Sequence, residues 1–93
     1  MIETRRLIIH GQVQGVGYRY GMIAAAKQTQ INGWVRNRSD GTVEAVVQGT
    51  ASAIEQITDW ARQGPIGAVV SRVETFDVTE KQIYVDFIQH PTQ

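Results

Sequence analysis

The chain has 93 residues, with nine basic and nine acidic side chains and no cysteine. A chain of this length folds around one hydrophobic core, so we expect residues 1–93 to form a single domain. Zero net charge offers no broad cationic surface to nucleic acid or a membrane, and the lack of cysteine excludes disulfides, thiolate catalysis and cysteine metal sites.

The first third of the chain predicts a strand, a glycine-rich loop and a helix. The apolar run Leu7-Ile8-Ile9, typical of a β-strand, falls in a buried strand over residues 4–13, and glycines punctuate a loop over residues 14–17. Residues 20–30 have alanine-rich helical spacing, and Asn32-Gly33 supplies a stop signal. The loop is therefore expected to connect a strand to a helix.

The middle of the chain predicts a β-hairpin followed by a second helix. Alternating patterns occur at residues 34–37 and 42–48, and the Asp40-Gly41 pair between them is a strong turn signal. A Ser52-x-x-Glu55 pattern then resembles a capping box, for a helix that ends before the next Gly-Pro pair.

The last third predicts strands over residues 69–78 and 82–88, with a break at 79–81 and a tail at 90–93. The element order is strand, helix, strand, strand, helix, strand, with a short extra strand at the C-terminus. This order predicts an α+β fold, the ferredoxin-like βαββαβ sandwich, in which two helices cover one face of a mostly antiparallel sheet.

The glycine-rich loop and the arginine after it have the features of an anion site. Gly15 and Gly17 allow several backbone amides to converge near a helix N-terminus, and Arg19 adds a planar fork of donors that fits two phosphate oxygens. No Lys-Ser or Lys-Thr pair follows the last glycine, so the segment is not a Walker loop. Tyr20 stands where a dinucleotide fingerprint needs a small residue. We therefore predict a site for a phosphate group rather than for a nucleotide.

Two segments resemble the signatures of the acylphosphatase family. Residues 11–19 read Gly-x-Val-Gln-Gly-Val-x-Tyr-Arg, and residues 33–43 read Gly-Trp-Val-Arg-Asn-x-x-x-Gly-x-Val, with Gly49 beyond them. Tyr18 stands where many relatives carry Phe, an exchange that keeps the ring. The resemblance implies a hydrolase that cleaves the carboxyl–phosphate bond of acyl phosphates, with water attacking phosphorus and with no metal or cofactor.

By motif position, the resemblance also implies the site residues. Arg19 and Asn37 are the expected catalytic pair, in which Asn37 holds the attacking water. The expected phosphate-binding residues are Gln14, Gly15, Val16, Gly17, Tyr18 and Arg19. A small-molecule acyl phosphate is the expected substrate, and inorganic phosphate or sulfate should bind as product-like ligands.

The remaining polar and aromatic residues are expected to be structural. His10 should lie on a strand surface, while Arg36 and Arg38 should occupy solvated positions on one face of their strand. Four aromatic residues are expected to fill the core or line its edges: Trp34, Trp60, Phe76 and Phe87.

Two other functional classes stay open. A ferredoxin-like sheet can bind single-stranded RNA on exposed aromatics, although residues 42–48 contain none. A module that binds a phosphorylated ligand such as carbamoyl phosphate without turnover is the second alternative. The chain has neither a signal-peptide core nor the ~20 apolar residues of a membrane span. We therefore expect a free-standing cytoplasmic hydrolase that acts as a monomer, without nucleic-acid or membrane partners.

Overall fold

A computed structural model describes residues 1–79 and 81–93 as a sheet covered on one side by two helices. The elements follow the predicted order. In chain order they are β1 (Glu3–Gln12), α1 (Tyr18–Thr29), β2 (Asn32–Asn37), β3 (Val43–Gly49), α2 (Ala51–Gln63), β4 (Val69–Asp77) and β5 (Phe87–Gln89).

The strands lie in the order β4-β1-β3-β2-β5. Three of the four strand pairs are antiparallel, and β2 pairs with β5 in parallel. The predicted ferredoxin-like sandwich with a short extra C-terminal strand is thereby confirmed. Within the described residues, neither helix has the length and apolar character that crossing a membrane requires.

Strand direction brings two distant parts of the sequence together where the strands β1 and β2 end. β1 and β2 both run antiparallel to β3, so they run in the same direction. The loop that follows β1 and the last residue of β2 consequently lie at the same end of the sheet. Alternate residues of each strand face the helices and form the core, as Leu7 and Ile9 do in β1 and Val43 and Ala45 do in β3.

Both helices begin at different residues from those predicted. α1 starts at Tyr18, two residues earlier than expected, because Gly17 takes a left-handed conformation (φ 79°) that directs the chain straight into the helix. The predicted Ser52 capping box is wrong. The cap of α2 is Thr50, whose hydroxyl accepts a hydrogen bond from the backbone N–H of Ala53 at 3.1 Å.

The last strand is much shorter than predicted. Only Phe87–Gln89 pairs with β2, whereas the strand was expected over residues 82–88. Two side chains hold the segment before it: the Gln48 amide bonds the backbone of residues 82 and 84, and Asn32 donates to the carbonyl of Tyr84. These bonds replace a strand ladder. Glu80, in the predicted break, lies outside the described residues.

An ion-pair cluster lies on the sheet face opposite the helices. Glu44 in β3 has a side chain only 5% exposed, and it accepts hydrogen bonds from the Nε atoms of Arg6 at 2.6 Å and Arg36 at 2.7 Å. The expectation that Arg36 is a solvated residue is therefore wrong, because the hairpin register places it directly opposite Glu44. Burial raises the pKa of Glu44, but hydrogen bonds from both arginines outweigh it and lower the pKa below its ordinary value.

The Glu44→Gln variant tests how far this cluster stabilises the fold. Because the folded-state pKa of Glu44 is lowered, its stabilisation is complete above the ordinary pKa of 4.5 and is lost as pH falls through the folded-state value. We expect the variant to lose about 1.5–3 kcal/mol of unfolding free energy at pH 7. Its stability should then change less than that of the wild type between pH 7 and pH 3.

Urea unfolding at both pH values measures these differences, with Glu55→Gln, at an exposed carboxylate of α2, as the matched control. Identical pH dependence in the wild type and in Glu44→Gln contradicts the assignment.

Candidate phosphate site between β1 and α1

The β1–α1 loop, residues 13–17, is shaped by two glycines in left-handed conformations. Gly15 has φ 74° and Gly17 has φ 79°, a backbone region that residues with a Cβ atom rarely adopt. A Cβ added at either position would meet no atom within 4 Å. The glycines are therefore required by backbone conformation and not by crowding, and the space beside them is open.

This loop and the first turn of α1 expose a group of unpaired donors. The first intrahelical hydrogen bond runs from the N–H of Gly21 to the carbonyl of Gly17 at 2.9 Å. In the part of the chain that the structure describes, the backbone N–H groups of residues 15–19 have no hydrogen-bond acceptor. No side chain caps the helix, and its first turn contains no acidic residue. The N-terminal end of the helix dipole adds partial positive charge, so the arrangement favours an anion.

Arg19, in the first turn of α1, differs from every other arginine of the chain. Each of the other six has a carboxylate oxygen within 4.0 Å, which leaves Arg19 as the exception among the described residues. The residue is half-buried, and its guanidinium makes no hydrogen bond to a described residue. A half-buried cation without a counterion is suited to an anionic ligand that can take its bidentate fork.

Asn37, the last residue of β2, faces the same side of the sheet as the helices. Val35, two residues earlier, is completely buried in the core, and Asn37 pairs across the hairpin with buried Val43. The side-chain oxygen of Asn37 is buried and has no hydrogen-bond partner, the only side-chain atom of this kind among the described residues. A buried acceptor without a donor is costly, so this atom is well suited to accept a hydrogen bond from a bound molecule such as water.

Gln14 connects the loop to the strand that carries Asn37. Its side-chain amide donates to the carbonyls of Arg38 at 2.8 Å and Thr42 at 2.9 Å, on either side of the β2–β3 turn. Sequence motifs placed Gln14 among the phosphate-binding residues, but both side-chain donors are engaged with the turn. Its side chain therefore positions the loop and has no donor left for a ligand.

Tyr18 anchors the other side of the loop to α2. Its side chain is buried, its ring lies 5.2 Å from the Trp60 ring, and its hydroxyl donates to the carbonyl of Ala61 at 2.7 Å. The Tyr18 ring packs closely against the chain after α2, because a Cβ added to Gly64 would lie 3.0 Å from the ring. Burial raises the pKa of the Tyr18 hydroxyl, which stays protonated and donating. Tyr18 can contact a ligand through its backbone N–H, while its side chain fixes the start of α1.

The residues expected to be structural lie away from this site. His10 pairs with Glu74 on the sheet face opposite the helices, with 2.6 Å between Nε2 and Oε1. That hydrogen bond lowers the pKa of Glu74. Phe87 is buried in the core and Trp60 packs against it, as expected.

The sheet face opposite the helices also carries two aromatic rings, each with another side chain packed on it. Trp34 stacks on His90, with ring centroids 4.8 Å apart, and the Arg36 guanidinium lies 4.8 Å from the same ring. Phe76 has the Arg6 guanidinium 5.3 Å from its ring centroid. The contacts on Trp34 occupy a ring on which an RNA base would have to stack, so they weigh against the RNA-binding alternative. No group of three or more potential metal ligands occurs among residues 1–79 and 81–93.

Comparison with known proteins identifies the family. The acylphosphatase family model matches residues 5–88. An acylphosphatase from Acidovorax sp. (strain JS42) is 56% identical over 71 residues, which cover 76% of this chain and 73% of that protein. The solved structure of an acylphosphatase from Coxiella burnetii matches with a TM-score of 0.91 and 34% identity over 96% of this chain and 93% of that one. The chain therefore belongs to the acylphosphatase family.

A similar fold also occurs inside a much larger protein. The structure of full-length HypF in its phosphate- and nucleotide-bound form matches with a TM-score of 0.89 and 29% identity. The match covers 99% of this chain but only 12% of the HypF chain.

The Gln14→Leu variant tests whether the Gln14 side chain positions the loop. The substitution removes both side-chain hydrogen bonds to the turn, each worth about 0.5–1.5 kcal/mol, so we expect a loss of about 1–3 kcal/mol in unfolding free energy. Turnover should also fall, because the loop amides lose their fixed position relative to Asn37. Gln12→Leu, at the exposed end of β1, is the matched control. Wild-type turnover by a folded Gln14→Leu protein rules out the positioning role.

Proposed function

We propose that this member of the acylphosphatase family hydrolyses acyl phosphates at the loop between β1 and α1. Its family membership favours hydrolysis over simple phospho-ligand binding. The observation that carries the site assignment is the juxtaposition of unpaired donors in the loop with the unpaired buried oxygen of Asn37. The loop amides would hold the phosphoryl group, and Asn37 would hold the water that attacks it.

In this proposal the phosphate oxygens are shared between backbone and side chain. The guanidinium of Arg19 binds two nonbridging oxygens, and the backbone N–H groups of about residues 15–18 bind the third. Phosphoryl transfer depends mainly on positioning and on stabilising charge over three equatorial oxygens, and these donors supply both. The leaving group is a carboxylate whose conjugate acid has a pKa near 4, so it departs without a general acid.

Asn37 orients the water through its side-chain oxygen but cannot accept a proton. The proton therefore passes to a phosphate oxygen of the substrate, and the water oxygen forms its bond to phosphorus as the bond to the carboxylate oxygen breaks. This hypothesis is motivated by the two motifs, which contain no group that titrates near neutral pH. It requires a turnover rate without a histidine-like inflection between roughly pH 6 and 7.

A non-catalytic binding module is the alternative. HypF, in its phosphate- and nucleotide-bound form, carries a similar fold within a chain about eight times as long. Hydrolysis remains the favoured function because the relatives of comparable length are acylphosphatases. Phosphate release from a synthetic acyl phosphate distinguishes the two, since a binding module without turnover releases none.

We also propose that residues 1–93 act as one domain, as a cytoplasmic monomer. The support is compositional: a chain without cysteine is compatible with a reducing compartment, and its size suits a single core. Gel filtration with light scattering tests the oligomeric state.

Arg19→Gln should lower the hydrolysis of a synthetic acyl phosphate by about 10³-fold to 10⁵-fold, the range for arginines that stabilise comparable transition states. Arg19→Lys should recover little of this loss, because an ammonium group cannot reproduce the bidentate fork. Phosphate release measures both variants. Arg72→Lys, at an exposed arginine of β4, is the matched control. Near-wild-type activity in Arg19→Lys removes bidentate binding from the mechanism.

Asn37→Ala should lower kcat about 10²-fold, by analogy with other single positioned polar groups, while the protein remains folded. Asn32→Ala, at the opposite end of the same strand, controls for the effect of truncating a β2 amide.

Phosphate release measured from pH 5.5 to 8 should give profiles of the same shape for the wild type and Asn37→Ala. A steep limb near pH 6–7 that vanishes in His10→Gln overturns the substrate-assisted step, and unchanged turnover in Asn37→Ala overturns the water assignment.

A further inference from the structure

The direction in which the acyl group leaves follows from in-line displacement. Attacking and leaving oxygens lie on opposite sides of phosphorus. In the proposed site the water is held by Asn37, on β2, and the sheet order places β2 and β4 on opposite sides of β1. The carboxylate of the acyl group therefore leaves the phosphate on the β4 side of the β1–α1 loop, away from Asn37.

On that side lies the α2–β4 loop, residues 64–68, which is packed against the start of α1. A Cβ added at its first residue, Gly64, would lie 3.0 Å from the Tyr18 ring, and a Cβ added at Gly21 would lie 3.8 Å from the Cβ of Pro65. A hydrogen bond from the N–H of Ala68 to the carbonyl of Pro65, at 3.1 Å, closes the turn. β4 then begins opposite Gln12, beside the loop that binds phosphate in the proposed function. The α2–β4 loop is therefore held at the edge of the site.

Besides Val69, at the start of β4, two large apolar side chains are exposed here. Ile66, in the middle of the α2–β4 loop, is completely exposed, and Tyr20 is 81% exposed. Tyr20 directly follows Arg19 in the first turn of α1, where side chains lean toward the helix N-terminus and so toward the β1–α1 loop. Neither residue joins the hydrophobic core, so both are available to cover an apolar group that leaves the phosphate on this side.

We propose that Tyr20 and Ile66 form an acyl-binding rim that selects acyl phosphates with an aromatic or branched apolar body. This inference rests on the proposed function, because the rim acts only on a substrate whose phosphate is held by the loop and Arg19. The carboxylate carbon lies next to the phosphate, and the ring or branch beyond it packs between the tyrosine ring and the isoleucine. An acetyl group ends at its methyl and gains little from the rim.

The test compares benzoyl phosphate with acetyl phosphate in the wild type and in a Tyr20→Ser, Ile66→Ser double variant. The two substrates differ in intrinsic reactivity. The informative quantity is therefore the kcat/KM for benzoyl phosphate divided by the kcat/KM for acetyl phosphate, compared between the two proteins. We expect that ratio to fall about threefold to tenfold in the double variant, mainly through a higher KM for benzoyl phosphate. This is below the discrimination of a closed apolar pocket, because the rim is open to solvent on one side.

Ile83→Ser is the matched control, because Ile83 is also strongly exposed but precedes β5, at the opposite edge of the sheet. It should leave the ratio unchanged. An unchanged ratio in the double variant, or an equal loss on both substrates, overturns the rim while the proposed function stands. Failure of the wild type to hydrolyse either substrate overturns the proposed function and the rim together.

Discussion

The first turn of α1 has more hydrogen-bond donors than acceptors. The turn begins at Gly17 with a left-handed residue that has no capping side chain, so the N–H groups of residues 15–19 have no acceptor among the described residues. Arg19 adds a guanidinium that has no carboxylate oxygen within 4.0 Å among residues 1–79 and 81–93. In the proposed site, an oxyanion bound between these donors accepts their hydrogen bonds, and the N-terminal end of the helix dipole favours its charge. The proposed phosphate site rests on this excess of donors.

Two contacts convert this donor group into a site with defined geometry. The Gln14 side chain fixes the loop to the β2–β3 turn, and the Tyr18 hydroxyl fixes the start of α1 to the end of α2. The parallel directions of β1 and β2 place Asn37 at the same edge of the sheet. Catalysis that depends on positioning needs this rigidity, because a misplacement of about 1 Å can cost about 10²-fold in rate.

Much of this arrangement could be predicted from local sequence. Strand and helix periodicity predicted the element order, and the glycines of the β1–α1 loop predicted an anion-binding backbone. The partners of Gln14 and Tyr18 could not be predicted in the same way, because both donate to backbone carbonyls, which every residue has. The shortened β5 depends on Gln48 and Asn32 side chains that bind the chain before it. The pairing of Arg36 with Glu44 depends on the register of the hairpin. The alternation of polar and apolar residues does not determine that register.

The most direct test of the account is an NMR titration of the wild-type protein and Arg19→Gln with inorganic phosphate, following the backbone amide resonances. If the β1–α1 loop and Arg19 hold phosphate, shifts in the wild type concentrate at residues 15–19, and Arg19→Gln binds phosphate much more weakly. Shifts concentrated instead at the arginines around Glu44, or equal affinity in the two proteins, would contradict the account.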